Sequence, residues 1–291
     1  MRSQLFVPGD SAAKLGKAFA SGADCLFIDL EDAVAPAAKP AARLLTADFL
    51  GEMRAKTPRP ALYVRVNSFA SGLLEADLAA IMPAAPDGLV LPKAGSGADL
   101  QRLGAKLAVH EAEIGLPDGA TRIVALTETA AALFTMGSFI GASRRLAGLA
   151  WGAEDLMADL GAETNQMPDG AWTPPFALLR SLALFAARAA CVAPIDTVYP
   201  AFRDQDGLRA VCEAARRDGF AGKMAVHPAQ IPIINAVFTP SPEALAEAQA
   251  VVDAFAADPA RGVRGEGGAM LDAAHLRRAQ LVLAQAAALK R

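Results

Sequence analysis

The chain has 291 residues, 53% of them hydrophobic and 20% charged, and its 28 basic and 31 acidic side chains leave a net charge of −3. That size and apolar content suit one large core, while a near-neutral balance without a long basic block excludes nucleic acid as an expected partner. The most apolar stretch, Ser181 to Ile195, is interrupted by Arg188 and is too short to span a bilayer, so no membrane partner is expected either.

Met1-Arg2-Ser3-Gln4 leads into the first strand without an apolar leader, and a cytoplasmic location is the expectation. Taken in chain order, a strand over 4–7 precedes a helix over 11–21, and a strand over 25–30 precedes a helix over 39–53. Strands follow over 61–66 and 88–91, then a helix over 99–113, a strand over 122–126 and a helix over 130–140. A strand over 146–151, a helix over 176–190, a strand over 195–199, a helix over 206–217 and a strand over 223–226 complete the alternation. Each strand is a short apolar run ended by Pro, Gly, Asn or a charge, as a strand buried on both faces should be. Eight such strands separated by alanine-rich helical spacing predict a closed (β/α)8 TIM barrel over 1–238, with an open doubly wound sheet as the alternative.

After the eighth strand the pattern changes. Pro240-Ser241-Pro242 opens a helix to about Ala257, a glycine-rich charged run over 261–268 is expected as a hinge, and an amphipathic helix over 273–289 ends the chain. This C-terminal helical extension, 239–291, is too small for a core of its own and is expected to pack on the barrel or on a neighbour. The cysteines, Cys25, Cys191 and Cys212, lack metal-ligand spacing and are expected as buried or half-buried free thiols.

Chemistry gathers at the ends of the strands, where a (β/α)8 barrel builds its active site. Glu128 and Asp155, ending two strands, either hold Mg²⁺, which takes one or two protein carboxylates and keeps several waters, or are helix N-terminal acids favoured by the dipole. Arg65 ends a third strand. Its planar fork matches a carboxylate, which is either Glu31 or Asp32 of the neighbouring strand or a substrate acid. Asp29, Glu31 and Asp32 are three acids in four positions, and such a cluster repels itself unless cations such as Arg65, Lys93 or Mg²⁺ neutralise it. Lys93 is expected as a stem-buried lysine paired with acids, and His227 as a hydrogen-bonded residue rather than a catalytic one. Asp272 is an N-cap candidate for the last helix.

These motifs together resemble the citrate lyase beta-subunit-like group of the HpcH/HpaI aldolase family, over nearly the whole chain. Arg2-Ser3-Gln4-Leu5-Phe6-Val7-Pro8-Gly9-Asp10, Asp29-Leu30-Glu31-Asp32-Ala33-Val34, Val64-Arg65-Val66-Asn67 and Leu91-Pro92-Lys93 carry the first half. Glu128-Thr129-Ala130-Ala131, Gly152-Ala153-Glu154-Asp155-Leu156, Ile195-Asp196-Thr197-Val198-Tyr199 and Lys223-Met224-Ala225-Val226-His227-Pro228 follow in order. The resemblance implies an Mg²⁺-dependent lyase acting on a coenzyme A thioester, in trimers or hexamers. By matching position, Glu128 and Asp155 would hold Mg²⁺, Arg65 would grip the 2-oxo acid carboxylate, and the amides of Gly152, Ala153 and Glu154 would cradle that acid. Lys14 and Lys17 fall where the family meets the phosphates of CoA. A metal-bound water near Glu31 or Asp32 is the candidate acceptor of the substrate hydroxyl proton.

Gly268-Ala269-Met270-Leu271-Asp272-Ala273-Ala274-His275 resembles the C-terminal motif of malyl-CoA and citramalyl-CoA lyases, whose aspartate enters the active site of an adjacent subunit. The match gives Asp272 the role of the acid that protonates the thioester enolate. Departures are Ala273-Ala274 in place of prolines, Ala94-Gly95 after Lys93 and Ala132 after the glutamate motif; none falls on a proposed ligand. The implied reaction is reversible Claisen-type cleavage of a 3-hydroxyacyl-CoA to acetyl-CoA and a 2-oxo acid. Three alternatives stand beside it: the beta subunit of a multi-subunit citrate lyase, a metal-dependent aldolase on free hydroxy-oxo acids, and a catalytically silent interaction subunit.

Overall fold

The computed structural model describes residues 1–257, 263–264 and 270–289. The chain divides into two compact units, Met1–Asn235 and Ala236–Arg291. In the first unit β1 (Ser3–Pro8), α1 (Ala12–Phe19), β2 (Cys25–Asp29), α2 (Lys39–Arg54), β3 (Ala61–Arg65), α3 (Leu74–Ile81), β4 (Gly88–Leu91) and α4 (Gly97–Glu113) form the first half. The second half is β5 (Arg122–Thr127), α5 (Ala130–Thr135), β6 (Leu146–Trp151), α6 (Ala153–Leu160), α7 (Pro174–Ala189), β7 (Ala193–Asp196), α8 (Gln205–Asp218) and β8 (Gly222–Ala225). The strands pair in parallel in chain order and β8 closes on β1, so the expected (β/α)8 barrel is the fold and the open sheet is not.

The period of two along each strand decides what fills the barrel and what faces the helices. Cys25, Phe27, Tyr63, Val90, Val124, Leu126, Ala150, Ile195 and Met224 form one buried cluster, with Phe6 packed against it. These are alternate residues of successive strands, stacked in layers as in a filled barrel rather than a pore. One step further toward the C-terminal end, the same inward parity reaches Asp29, Arg65, Glu128, Gly152 and Thr197. Register does the rest: Asp29 of β2 lies beside Arg65 of β3, and Thr127 of β5 beside Trp151 of β6.

Several elements differ from the sequence-based expectation for identifiable reasons. The helix expected over 130–140 stops at Thr135 and tightens into a 3₁₀ turn over Met136–Phe139. The Thr135 hydroxyl donates to the Ala132 carbonyl at 3.1 Å and the Ser138 hydroxyl to the Thr135 carbonyl at 2.6 Å, so side chains take over backbone acceptors. The seventh strand, expected over 195–199, occupies Ala193–Asp196 instead. Its ladder ends at Asp196 opposite Lys223, and the Tyr199 carbonyl accepts from Gln230 Nε2 at 2.7 Å. Helices α3 and α6 were not expected at all; both have only eight residues, and α6 begins inside a motif read for its chemistry. Cys25 and Cys212 are buried, but Cys191 is exposed, at φ 56° in the turn after α7, which corrects the expectation for that thiol.

At the boundary and beyond lie α9 (Ile231–Phe238), α10 (Pro242–Ala257), an antiparallel pair β9 (Val263–Arg264) and β10 (Met270–Leu271), and α11 (Ala273–Ala288). Helices α10 and α11 pack on each other, with Ala248 and Ala279 buried. Asp272 caps α11, its Oδ1 accepting from the Ala274 amide at 2.8 Å and the His275 amide at 3.2 Å. Of the run expected as a hinge, 261–262 and 265–268 lie outside the described residues. Among the described residues no helix is long and apolar enough to cross a membrane.

Candidate active site

The C-terminal mouth of the barrel holds a cavity of about 400 Å³. Asp29, Asp32, Arg65, Glu128, Gly152, Ala153, Glu154 and Asp155 all line it, above a floor of Phe6, Leu126 and Met224. Residues from the ends of four strands, β2, β3, β5 and β6, thus converge on one space, although up to 126 positions separate them in the chain (Asp29 to Asp155).

Arg65 is held from the neighbouring strand. Its Nε and Nη2 donate to the two carboxylate oxygens of Asp29 at 2.7 and 2.5 Å, and its Nη1 lies 3.0 Å from Glu31 Oε2. The principal partner is therefore Asp29, with Glu31 second; Asp32, also expected, instead approaches Lys93 at 3.4 Å. A guanidinium has five N–H donors and Asp29 takes two, so Arg65 keeps donors for a ligand while being fixed by a buried pair. Burial opposes its charge, but the hydrogen bond and charge of Asp29 outweigh that and raise its pKa. The guanidinium carbon also lies 4.9 Å from the centre of the Phe6 ring, which fixes its plane over the apolar floor.

Lys93 adopts φ 50° just after β4 and spans the acids of three loops. Its ammonium lies 2.6 Å from Glu31 Oε1 and 3.1 Å from Asp155 Oδ1, and its amide donates to Glu128 Oε1 at 2.9 Å. Burial works against its charge; the hydrogen bonds and charges of Glu31 and then Asp155 prevail and raise its pKa. It is the paired lysine that the sequence suggests.

Glu128 behaves differently. It follows β5, is 1% exposed, and precedes the Thr129 N-cap of α5, so it is not an acid of a helical first turn. Burial, and next the charge of Asp155, push its carboxyl well above the ordinary range, and the Lys93 amide and Arg65 offset this only in part. Glu31 is likewise raised, by burial against the pull of Arg65 and Lys93. Asp155 does sit in the first turn of α6, so the dipole accounts for part of its placement but not for its approach to Glu128. Gly152 explains how the two loops come so close: a Cβ there would overlap the Glu128 carboxylate.

A divalent cation fits this donor set. Glu128 and Asp155 supply hard oxygens, repel each other with Lys93 offsetting only part of their charge, and leave water or substrate to complete the shell, which suits Mg²⁺. Among the described residues no group of three or more His, Cys, Asp or Glu gathers in metal-binding geometry, so the protein's share would be those two carboxylates. The N-terminus of α6 at Gly152–Glu154 adds backbone amides and a positive dipole end at the cavity wall.

Other expected residues lie elsewhere. Lys14 and Lys17 are exposed on α1, which follows the strand whose Phe6, Val7 and Pro8 line the mouth. His227 is satisfied: its Nδ1 accepts from the Ala229 amide at 3.1 Å and its ring stacks on Phe202 at 4.4 Å. Asp272 belongs to the second unit, exposed, with Oδ1 2.8 Å from His275 Nδ1, which holds its carboxyl below the usual range. The sequence reading passed over Asp29, Arg65's main partner, in favour of the next acids, and gave Thr197 no role. Counting the strand period inward from Ile195 would have found Thr197.

Comparison with known proteins adds to this geometry. The profile of the HpcH/HpaI aldolase/citrate lyase family matches residues 2–228. The chain is 36% identical to (3S)-malyl-CoA thioesterase of Cereibacter sphaeroides, over 99% of this chain and 95% of that one. It is 33% identical to citrate lyase subunit beta of Leuconostoc mesenteroides subsp. cremoris, over 97% of this chain and 92% of that one. Among solved structures, CitE from Mycobacterium tuberculosis in complex with magnesium, acetoacetate and coenzyme A matches with a TM-score of 0.78 at 33% identity, covering 98% of both chains.

Proposed function

The chain belongs to the HpcH/HpaI aldolase/citrate lyase family, and from that premise we propose that it is an Mg²⁺-dependent carbon–carbon lyase. Its substrate is a 3-hydroxyacyl-CoA of the malyl-CoA or citramalyl-CoA type, cleaved reversibly to acetyl-CoA and a 2-oxo acid. The observation that carries this reading is the buried Glu128 carboxylate facing the half-buried Asp155 beside Arg65, an arrangement that asks for a cation and an anionic ligand together. A relative that acts on malyl-CoA and a solved relative holding magnesium and coenzyme A support the choice of metal and thioester.

In this mechanism Glu128 and Asp155 would hold the metal, which when bound would supply Lewis-acid charge to the 2-oxo acid unit. Arg65, braced by Asp29, orients the acid carboxylate and adds fixed positive charge where negative charge develops. The amides of Gly152, Ala153 and Glu154 hold the other side of that carboxylate. Glu31 or Asp32, acting through a water, accepts the 3-hydroxyl proton; burial raises Glu31 toward the range useful to a general base. The C2–C3 bond then breaks, its electron pair passes to the thioester enolate, and Asp272 of a neighbouring subunit delivers the proton to carbon. That role requires Asp272 to leave its cap on α11 for a drier place, where burial raises a carboxyl pKa. Lys14 and Lys17 meet the CoA phosphates, the assembly is a trimer or hexamer, and the location is cytoplasmic.

The test is product analysis with (S)-citramalyl-CoA and malyl-CoA, each with Mg²⁺ and with EDTA. Metal-dependent release of acetyl-CoA and the matching 2-oxo acid is the expected result. Free CoA with malate would make the chain a thioesterase, and no reaction with either would return it to the citrate-lyase-subunit or free-acid aldolase alternatives. Mixing Asp272→Asn with Glu128→Gln chains, each inactive alone, should restore activity if Asp272 serves a neighbour; no restoration in mixed oligomers would remove that role.

A further inference from the structure

Thr197 lies two residues beyond Ile195, which is part of the barrel's inner cluster. Asp196 between them turns outward to accept from Trp151 Nε1 at 2.8 Å and Lys223 Nζ at 3.0 Å. Strand parity therefore returns Thr197 to the interior, where it lines the same cavity as Arg65 and Glu128. It is 1% exposed, and its hydroxyl is buried without a hydrogen-bond partner. A buried hydroxyl in that state is an uncompensated desolvation, and because it faces the cavity its partner is a water or a ligand that enters there.

The rest of the cavity limits what that ligand is. Phe6, Leu126 and Met224 give it an apolar floor. Among the described residues Arg65 is the one basic side chain lining it, against Asp29, Asp32, Glu128, Glu154 and Asp155. A single carboxylate finds a partner in Arg65; a second would face acids and an apolar floor with no cation assigned to it.

Resting on the lyase reading, we propose that Thr197 and this floor form the subsite for the 2-oxo acid. The Thr197 hydroxyl donates to the acid's carboxylate, and Phe6, Leu126 and Met224 receive its substituent. The preferred acid is then a 2-oxo monocarboxylate bearing hydrogen or a short alkyl group, not a 2-oxo dicarboxylate. Thr197 stands within the Ile195–Tyr199 motif without a role of its own, because it is uncharged.

The experiment runs the condensation direction, acetyl-CoA with pyruvate, glyoxylate or oxaloacetate at saturating Mg²⁺, on wild type, Thr197→Val and Thr197→Ser. Calorimetry of pyruvate binding with Mg²⁺ present runs in parallel. Wild type should favour pyruvate or glyoxylate over oxaloacetate by about 10-fold or more in kcat/KM. Thr197→Val should raise KM and the pyruvate Kd by about 10-fold to 100-fold with a smaller change in kcat, and Thr197→Ser should recover most of the loss. Because valine is isosteric and removes an unpartnered hydroxyl, the ligand-free Tm should stay level or rise; a purely structural role predicts a fall. Unchanged KM and Kd in Thr197→Val, or a preference for oxaloacetate, overturns the subsite while leaving the lyase reading intact. Thr197-dependent pyruvate binding without acetyl-CoA chemistry supports the subsite and sinks the lyase reading. A wild type that neither binds nor condenses any of the three acids overturns both.

Discussion

Two buried arginines, Arg145 and Arg65, sit among acids at opposite ends of the barrel strands, and their surroundings differ in one respect. Arg145, just before β6, gives its two Nη groups to the two oxygens of Glu111 at 2.6 and 2.7 Å and also pairs with Asp118. The amides of Thr121 and Gly119 complete Glu111 at 2.6 and 3.0 Å. Burial alone would raise Glu111, yet Arg145 and those amides hold it down to about 2. Around Arg65 the sum does not close: Glu31 and Glu128 are both raised, where Glu111 is lowered. A charged cluster whose acids are fully neutralised is structural; one left with surplus negative charge is built around something it binds.

That contrast can be broken most severely at Arg145. Arg145→Met strands the buried Glu111 carboxylate and should lower unfolding free energy by about 3–5 kcal/mol, read from urea denaturation, with turnover per folded molecule unchanged. Adding Glu111→Leu should recover much of the loss. No loss in the single variant would mean that the completed network is not structural.

Next comes pH. Glu111 has its folded pKa depressed from 4.5 to about 2, so its contribution is present above 4.5 and disappears as pH falls through about 2. The stability gap between wild type and Glu111→Gln should therefore narrow by about 3 kcal/mol over that interval. Glu128 has the opposite sign: with its folded pKa raised, the metal-free protein gains from protonation there, and that gain is lost as pH rises through the folded value. A Glu128→Gln chain without metal should thus hold its stability better than wild type toward neutral pH. Parallel pH profiles for the two variants would erase the distinction between the ends of the barrel.

The smallest effect is expected at Lys93, which neutralises part of the mouth from a partly exposed position. Removing its charge with Lys93→Met should lower metal-free stability slightly, by about 1 kcal/mol. It should tighten Mg²⁺ binding by roughly 10-fold, because one positive charge no longer opposes the cation near Asp155. Weaker Mg²⁺ binding in that variant would place the cation elsewhere.

The barrel was legible because its strands are short apolar runs closed by charges, and that pattern repeats around the ring. The charged residues of the mouth were legible for the same reason, since Glu128 and Arg65 each stand at the end of such a run. What sequence could not supply was direction. Asp29, Glu31 and Asp32 are equal on paper, and only the register of β2 against β3 puts Asp29 beside Arg65. The end of β7 was misjudged because Val198 and Tyr199 have strand composition but no ladder partner. Helix α6 was hidden by its brevity and by overlap with a chemical motif.

The most direct measurement is a calorimetric titration of Mg²⁺ into wild type and Glu128→Gln, each first stripped with EDTA. A mouth built to be completed by a cation predicts saturable one-site binding in wild type with a matching rise in Tm, and at least 100-fold weaker binding in Glu128→Gln. Equal Mg²⁺ affinity in the two chains, or none in wild type, would contradict the assignment of Glu128 and Asp155 as the metal site.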